Sequence, residues 1–107
     1  METCFVKKLH IQAKLPTKAF EGDAGWDLYC VEEVVLKPRK QTLIHTGISL
    51  QIPYGYFGKI EDRSSLAIQG IITSAGIIDA SYRGEIKVLL KNTCSTTKIL
   101  NKGEKMK

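Results

Sequence analysis

The chain has 107 residues, 43% hydrophobic and 25% charged, which suits one folded domain with a small core and excludes a disordered segment. No apolar run approaches membrane-spanning length, and "METCFVKKLH" lacks the apolar stretch of a secretory leader, so an intracellular, cytoplasmic protein with no membrane partner is expected. Sixteen Lys and Arg against eleven Asp and Glu give a net charge of +5. No aromatic residues interleave with the basic ones, which speaks against direct nucleic-acid binding; a solvated basic surface or a small phosphorylated ligand remains.

In chain order the signals are those of strands. "FVKKLHIQAKLP" opens rich in β-formers and stops at Pro16; "EEVVLKP" stops at Pro38. "TLIHTGISLQIP" alternates most clearly, with Thr42, Ile44, Thr46, Ile48, Leu50 and Ile52 on the more apolar face. "YGYFGKIED" and "GEIKVLLKN" repeat the habit, and "TTKILNKGEK" reads as a strand running into a turn. "SSLAIQ" is the one plausible helical turn, with Ser64 or Ser65 as its N-cap. Many short strands punctuated by Gly and Pro imply an all-β sandwich or barrel. Cys4, Cys30 and Cys94 are odd in number and widely spaced, so they read as reduced thiols and not as a disulfide frame or zinc site. His10 and His45 read as strand residues.

Three stretches could carry chemistry. In "EGDAGWDLYC", small residues at Ala24 and Gly25 allow close backbone approach ahead of Asp27; the plainer reading is a turn that Asp27 caps. In "EDRSSLAIQG", Arg63 can grip an oxyanion with two parallel bonds while Ser64 and Ser65 add hydroxyls. The alternative is a helix cap with Arg63 paired to Glu61 or Asp62. In "GIIDASYRGEI", Asp79 lies among Ile77, Ile78 and Tyr82, as a general base in a partly desolvated pocket would, or as a turn-forming Asp would.

The order "AGWDL", "RSSLA", "GIIDASYRGEI" resembles the first three motifs of the trimeric dUTPases, which split dUTP into dUMP and pyrophosphate. The resemblance runs from about Leu9 onward. It implies a β jelly roll or distorted barrel assembled as a homotrimer, and magnesium as cofactor. It also implies roles. Asp79 matches the carboxylate that orients and activates water. Tyr82 matches the aromatic that packs under the deoxyribose and excludes a 2′-hydroxyl, and Ile78 would help line that sugar pocket. The stretch from Thr73 to Gly76 matches the backbone that pairs with uracil. Arg63, Ser64 and Ser65 match the phosphate-gripping motif, with Ser64 near the α,β-bridging oxygen. Asp27 matches the residue that holds water around magnesium, an ion that dehydrates reluctantly.

The sequence departs from the family pattern in places. Trp26 stands for the usual Tyr or Phe, and Ser81 for a second acid. Lys102, Gly103, Glu104, Lys105 and Met106 align with the start of a fourth motif resembling "KGDRIAQ", and the sequence stops at Lys107. The phosphate-binding Gln of that motif and the Gly-rich fifth motif are absent from the sequence, so a single dUTPase-like domain whose site closes poorly is expected. A non-catalytic nucleotide- or protein-binding jelly roll and a dCTP deaminase relative are the alternatives. The deaminase would want a further carboxylate after the third motif, and "IKVLLKN" offers none.

Overall fold

The computed structural model describes residues 3–18 and 20–106. Eight strands and one helical turn follow one another: β1 (Phe5–Lys8), β2 (Val34–Leu36), β3 (Gln41–Gln51), β4 (Gly58–Lys59), α1 (Ser64–Ile68), β5 (Ile71–Thr73), β6 (Ile77–Ile78), β7 (Glu85–Asn92) and β8 (Lys98–Leu100). The all-β expectation holds. An antiparallel sheet runs β1-β3-β7-β5, and two small antiparallel pairs, β2-β8 and β4-β6, complete the frame.

The centre is the pairing of β3 with β7, and its sequence logic is period two. On β7, Ile86, Val88, Leu90 and Asn92 face inward and are buried, while Lys87 and Lys91 are exposed. On β3, Ile44, Thr46 and Ile48 are buried, as the alternation predicts. These aliphatic side chains join Leu36, Ile60, Leu66, Ile71, Leu100 and Met106 in one core. Each fully buried one contributes about 1.5–3 kcal/mol.

One irregularity interrupts the ladder. The β3-β7 register shifts between His45 and Ser49. Gly47 sits there with φ of +72°, and a Cβ on it would lie 2.9 Å from the Ala13 Cβ. Left-handed backbone and close approach together call for glycine. Leu9 N–H donates to the Gly47 carbonyl at 2.7 Å, so the chain leaves β1 at the bulge. That is why the first strand is shorter than its composition suggests. His10 falls in the turn that follows, where Ala13 N–H donates to its carbonyl, whereas His45 is a strand residue as expected.

α1 forms where predicted, but neither serine caps it. Arg63 holds the N-cap position with extended backbone and no capping side chain, and Ser64 is already helical. Arg63 keeps extended backbone, so the cap falls one place earlier than the serines. Gly70, with φ of +83°, ends the helix by the usual left-handed exit. The three cysteines are free thiols. Burial pushes the Cys30 thiol above its ordinary value. No helix among the described residues is long and apolar enough to cross a membrane.

Candidate active site

The third motif builds a loop and then a cavity. Asp79 accepts from the Tyr82 N–H through its carbonyl at 3.0 Å, closing a turn over Ala80 and Ser81. Arg83 ties that turn from outside, its guanidinium donating to the carbonyls of Ala80 and Tyr82 at 2.5 and 3.2 Å. The Tyr82 ring lies back across Gly84, and its hydroxyl donates to the Glu85 carbonyl at 2.7 Å. A Cβ on Gly84 would come within 2.7 Å of the ring carbon Cζ, so glycine is what lets the ring lie there.

Gly76 plays the same part on the other wall. Ile60 N–H donates to its carbonyl at 2.9 Å, and a Cβ would meet the Ile60 carbonyl oxygen at 2.7 Å. The two backbones touch because that residue has no side chain. Between these walls is a cavity of about 260 Å³ lined by Gly76, Ile78, Asp79 and Tyr82 together with Ile60, Ile86 and Leu89. The sequence therefore placed four of its candidates in one hollow: a carboxylate, an aromatic ring, an aliphatic floor and exposed backbone.

Two expectations and one alternative need correction. Asp79 is exposed in the single chain, so its own chain supplies little of the desolvation expected of it. Thr73 does not line the cavity; its N–H and hydroxyl both donate to Asp62, at 2.6 and 2.8 Å. Those two bonds hold the Asp62 carboxyl below the ordinary aspartate value. Nor does Arg63 pair with its neighbours, since Asp62 is engaged by Thr73 and Glu61 pairs with Lys59 at 2.7 Å.

Arg63 turns elsewhere. Its guanidinium reaches the Lys105 carbonyl at 3.5 Å, and the Lys105 ammonium lies 3.4 Å from the Asp27 carboxylate. Asp27 is held by a backbone bridge to Thr17, beside Trp26 and the Lys18 ammonium 5.0 Å from its ring. The first, second and fourth motifs thus meet in a charged cluster, with Lys105 as the joint. Ser64 and Ser65 are exposed next to it at the start of α1. None of Asp27, Arg63, Ser64 and Ser65 lines the Asp79–Tyr82 cavity. One chain presents the cavity and the charged cluster at separate places.

This pattern can be set beside known proteins. The family model described as dUTPase matches residues 11–106. The chain belongs to the dUTPase family. It is 42% identical over 107 residues to the deoxyuridine 5'-triphosphate nucleotidohydrolase of Paramecium bursaria Chlorella virus 1, with 99% of this chain and 76% of that protein covered. The Clostridium kluyveri enzyme of the same name is 47% identical, with 94% and 73% covered. Among solved structures, a mutant dUTPase from phage phi11 of S. aureus superposes with a TM-score of 0.91 at 26% identity, covering 98% of this chain and 86% of that one. A mutant dUTPase of Staphylococcus bacteriophage 80alpha, solved with dUpNHpp, gives 0.92 at 26%, covering 99% and 79%. The fold is the jelly roll of the dUTPases.

Sequence reasoning missed Lys105 as a partner of Asp27 and Arg63, and it passed over Glu85. The signal for Lys105 was only its place in the fourth motif. Glu85 could have been noticed as the residue at which the third motif becomes a strand.

Proposed function

We propose that this dUTPase-family chain hydrolyses dUTP to dUMP and pyrophosphate at sites shared between subunits of a homotrimer. The observation that carries the reading is the cavity holding Asp79 and Tyr82. It has the size and the chemistry to seat a deoxynucleoside with its sugar against the ring. The relatives named above are nucleotidohydrolases of this substrate.

In the proposed mechanism the backbone near Gly76 meets the uracil, and Ile78 and Tyr82 enclose the sugar. Asp79 accepts the proton of the attacking water, which adds to the α-phosphorus. Arg63, with the hydroxyls of Ser64 and Ser65, receives the charge that builds on the phosphate oxygens and the departing pyrophosphate. The two half-sites of one chain are separate, so the phosphate-gripping cluster serving a given cavity comes from a neighbouring subunit. Exposed apolar side chains such as Phe5, Val35, Leu43, Phe57 and Ile99 supply surface for that assembly.

Magnesium fits only indirectly. Among the described residues no group of three or more His, Cys, Asp or Glu side chains could hold a metal ion. The single carboxylate of Asp27 suits an ion bound through its waters and the triphosphate. When bound there it would neutralise charge on the phosphates. The phage phi11 structure describes coordination of a structural Mg(II) ion in that protein.

The test is hydrolysis of dUTP, read as pyrophosphate released, with light scattering on the same sample. Turnover by particles of three chains is expected. Nucleotide bound without turnover would favour the non-catalytic alternative, and active monomers would defeat the shared site. A second expectation concerns sugar choice. Tyr82→Ala should weaken dUTP binding on the order of tenfold while leaving UTP binding little changed, because the ring that meets a 2′-hydroxyl is gone. Titration of both nucleotides against both proteins decides it; an unaltered dUTP-to-UTP ratio contradicts the role.

A further inference from the structure

Glu85 stands in a wall between two hollows. One is the Asp79–Tyr82 cavity; the other is a larger surface groove of about 550 Å³ lined by His10, Glu32, His45, Gly47 and Lys102. Every polar group of Glu85 that faces the fold is engaged. One carboxylate oxygen lies 2.7 Å from His45 Nδ1, and the other accepts the Gly47 N–H at 2.9 Å. A carboxylate only accepts, so His45 carries its proton on Nδ1. Burial raises the Glu85 carboxyl, but these two bonds outweigh it and leave the group below the ordinary glutamate value. The backbone carbonyl of the same residue takes the Tyr82 hydroxyl at 2.7 Å.

The carboxylate therefore clips the start of β7 to the bulge in β3, where the ladder itself is interrupted. Without that clip, the first residue of β7 would have only the Ser49 pairing to hold it across the gap. The Tyr82 hydroxyl would then be anchored to a loose strand end. Resting on the proposed reading of Tyr82 as the sugar-discriminating ring, we propose that Glu85 is a positioning residue. Through His45 and the Gly47 amide it fixes the carbonyl that holds the Tyr82 ring, and so sets the preference for deoxyribose over ribose. Its role is exerted through the Tyr82 ring and not on the reacting atoms. Its effect is preorganisation: the ring is already in place when the sugar arrives.

The experiment measures affinity for dUTP and UTP, and kcat for dUTP, in the full chain and in Glu85→Ala, Glu85→Gln and His45→Ala. Glu85→Ala should lose dUTP affinity on the order of tenfold, keep its UTP affinity, and keep kcat at saturating dUTP within about threefold. Glu85→Gln should restore the ratio to within about twofold, because its amide oxygen can still accept the Gly47 N–H and its amide nitrogen can meet the His45 ring. His45→Ala should shift the ratio in the same direction by less. A folded Glu85→Ala protein with the wild-type ratio overturns the proposal, as does a Gln variant no better than Ala. Should Glu85→Ala fail to fold, His45→Ala decides, because that ring is nearly half exposed and its loss leaves the core intact; an unchanged ratio there overturns the role. A wild-type chain that binds neither nucleotide brings down the proposed function and this inference with it. A discriminating wild type with an unmoved Glu85→Ala ratio brings down the inference alone.

Discussion

Asp79→Asn is expected to bind dUTP nearly as the parent does and to turn it over 10²–10⁴-fold more slowly, on the order expected for loss of a positioned base. That is a barrier increase of about 3–5 kcal/mol. The amide keeps the shape of the carboxylate and cannot take a proton from water. The Asp79–Tyr82 turn closes through the Asp79 backbone carbonyl, so the substitution leaves the loop intact. Pyrophosphate release gives kcat, and titration with a non-hydrolysable deoxyuridine triphosphate gives affinity. Undiminished kcat would remove Asp79 from the mechanism. A proportionate loss of binding and rate would make it a binding group instead.

The largest effect on stability is expected from Asn92→Ala. Asn92 is fully buried at the end of β7. Its amide nitrogen donates to the carbonyls of Leu36 and Thr96, both at 2.9 Å, and its oxygen accepts the Cys94 N–H at 3.0 Å. One side chain thus ties β7 to β2 and shapes the turn that leads into β8. Thr96 and Cys94 can turn to water, but the Leu36 carbonyl is buried and would be left without its donor. An orphaned buried group costs about 1–3 kcal/mol, and the void left by the amide adds to it. The expected loss is about 3 kcal/mol, or roughly 10–20 °C in Tm for a chain of this size. Thermal and denaturant unfolding at fixed protein concentration measure it. A loss below about 1 kcal/mol would mean that the β2-β8 pair does not depend on this residue.

The central ladder was legible because β3 and β7 carry apolar residues mainly at every second position, and burial follows that alternation outside the bulge, where Thr46, Gly47, Ile48 and Ser49 are all buried. The Asp79–Tyr82 cavity was legible for a related reason. Gly76, Ile78, Asp79 and Tyr82 lie within seven positions of one another, so local spacing carries most of their geometry. The charged cluster was less so. Arg63 meets Lys105 where backbone bonds from Cys30 to Glu104 and from Met106 to Leu28, with the Tyr29–Lys105 bridge, hold residues 104–106 alongside the first motif. No local pattern announces a contact of that range. Asp62 and Thr73 illustrate the same limit: the acid next to Arg63 was available to pair with it, and a hydroxyl and an amide from another strand took it first. Gly47 did carry a signal, since a lone glycine inside a strand marks a bulge or a close backbone approach. The regular alternation around it concealed the register shift. The serines that open α1 misled because cap preference is a local tendency; Arg63 stays extended and both serines are already helical.

The separation of the two half-sites within one polypeptide has a genetic consequence. If each working centre takes its Asp79 from one chain and its Arg63 from another, then the inherited unit and the catalytic unit differ. Two alleles, one defective at Asp79 and the other at Arg63, would each be silent when expressed alone. Expressed in the same cell, they would assemble into mixed particles in which some centres receive a sound half from each parent. By the same logic, a chain defective at both positions would spoil two centres, the one that takes its Asp79 and the one that takes its Arg63, and its harm would exceed its share of the pool. Natural variation at these positions would then be judged by the company a chain keeps, and not by its own sequence alone.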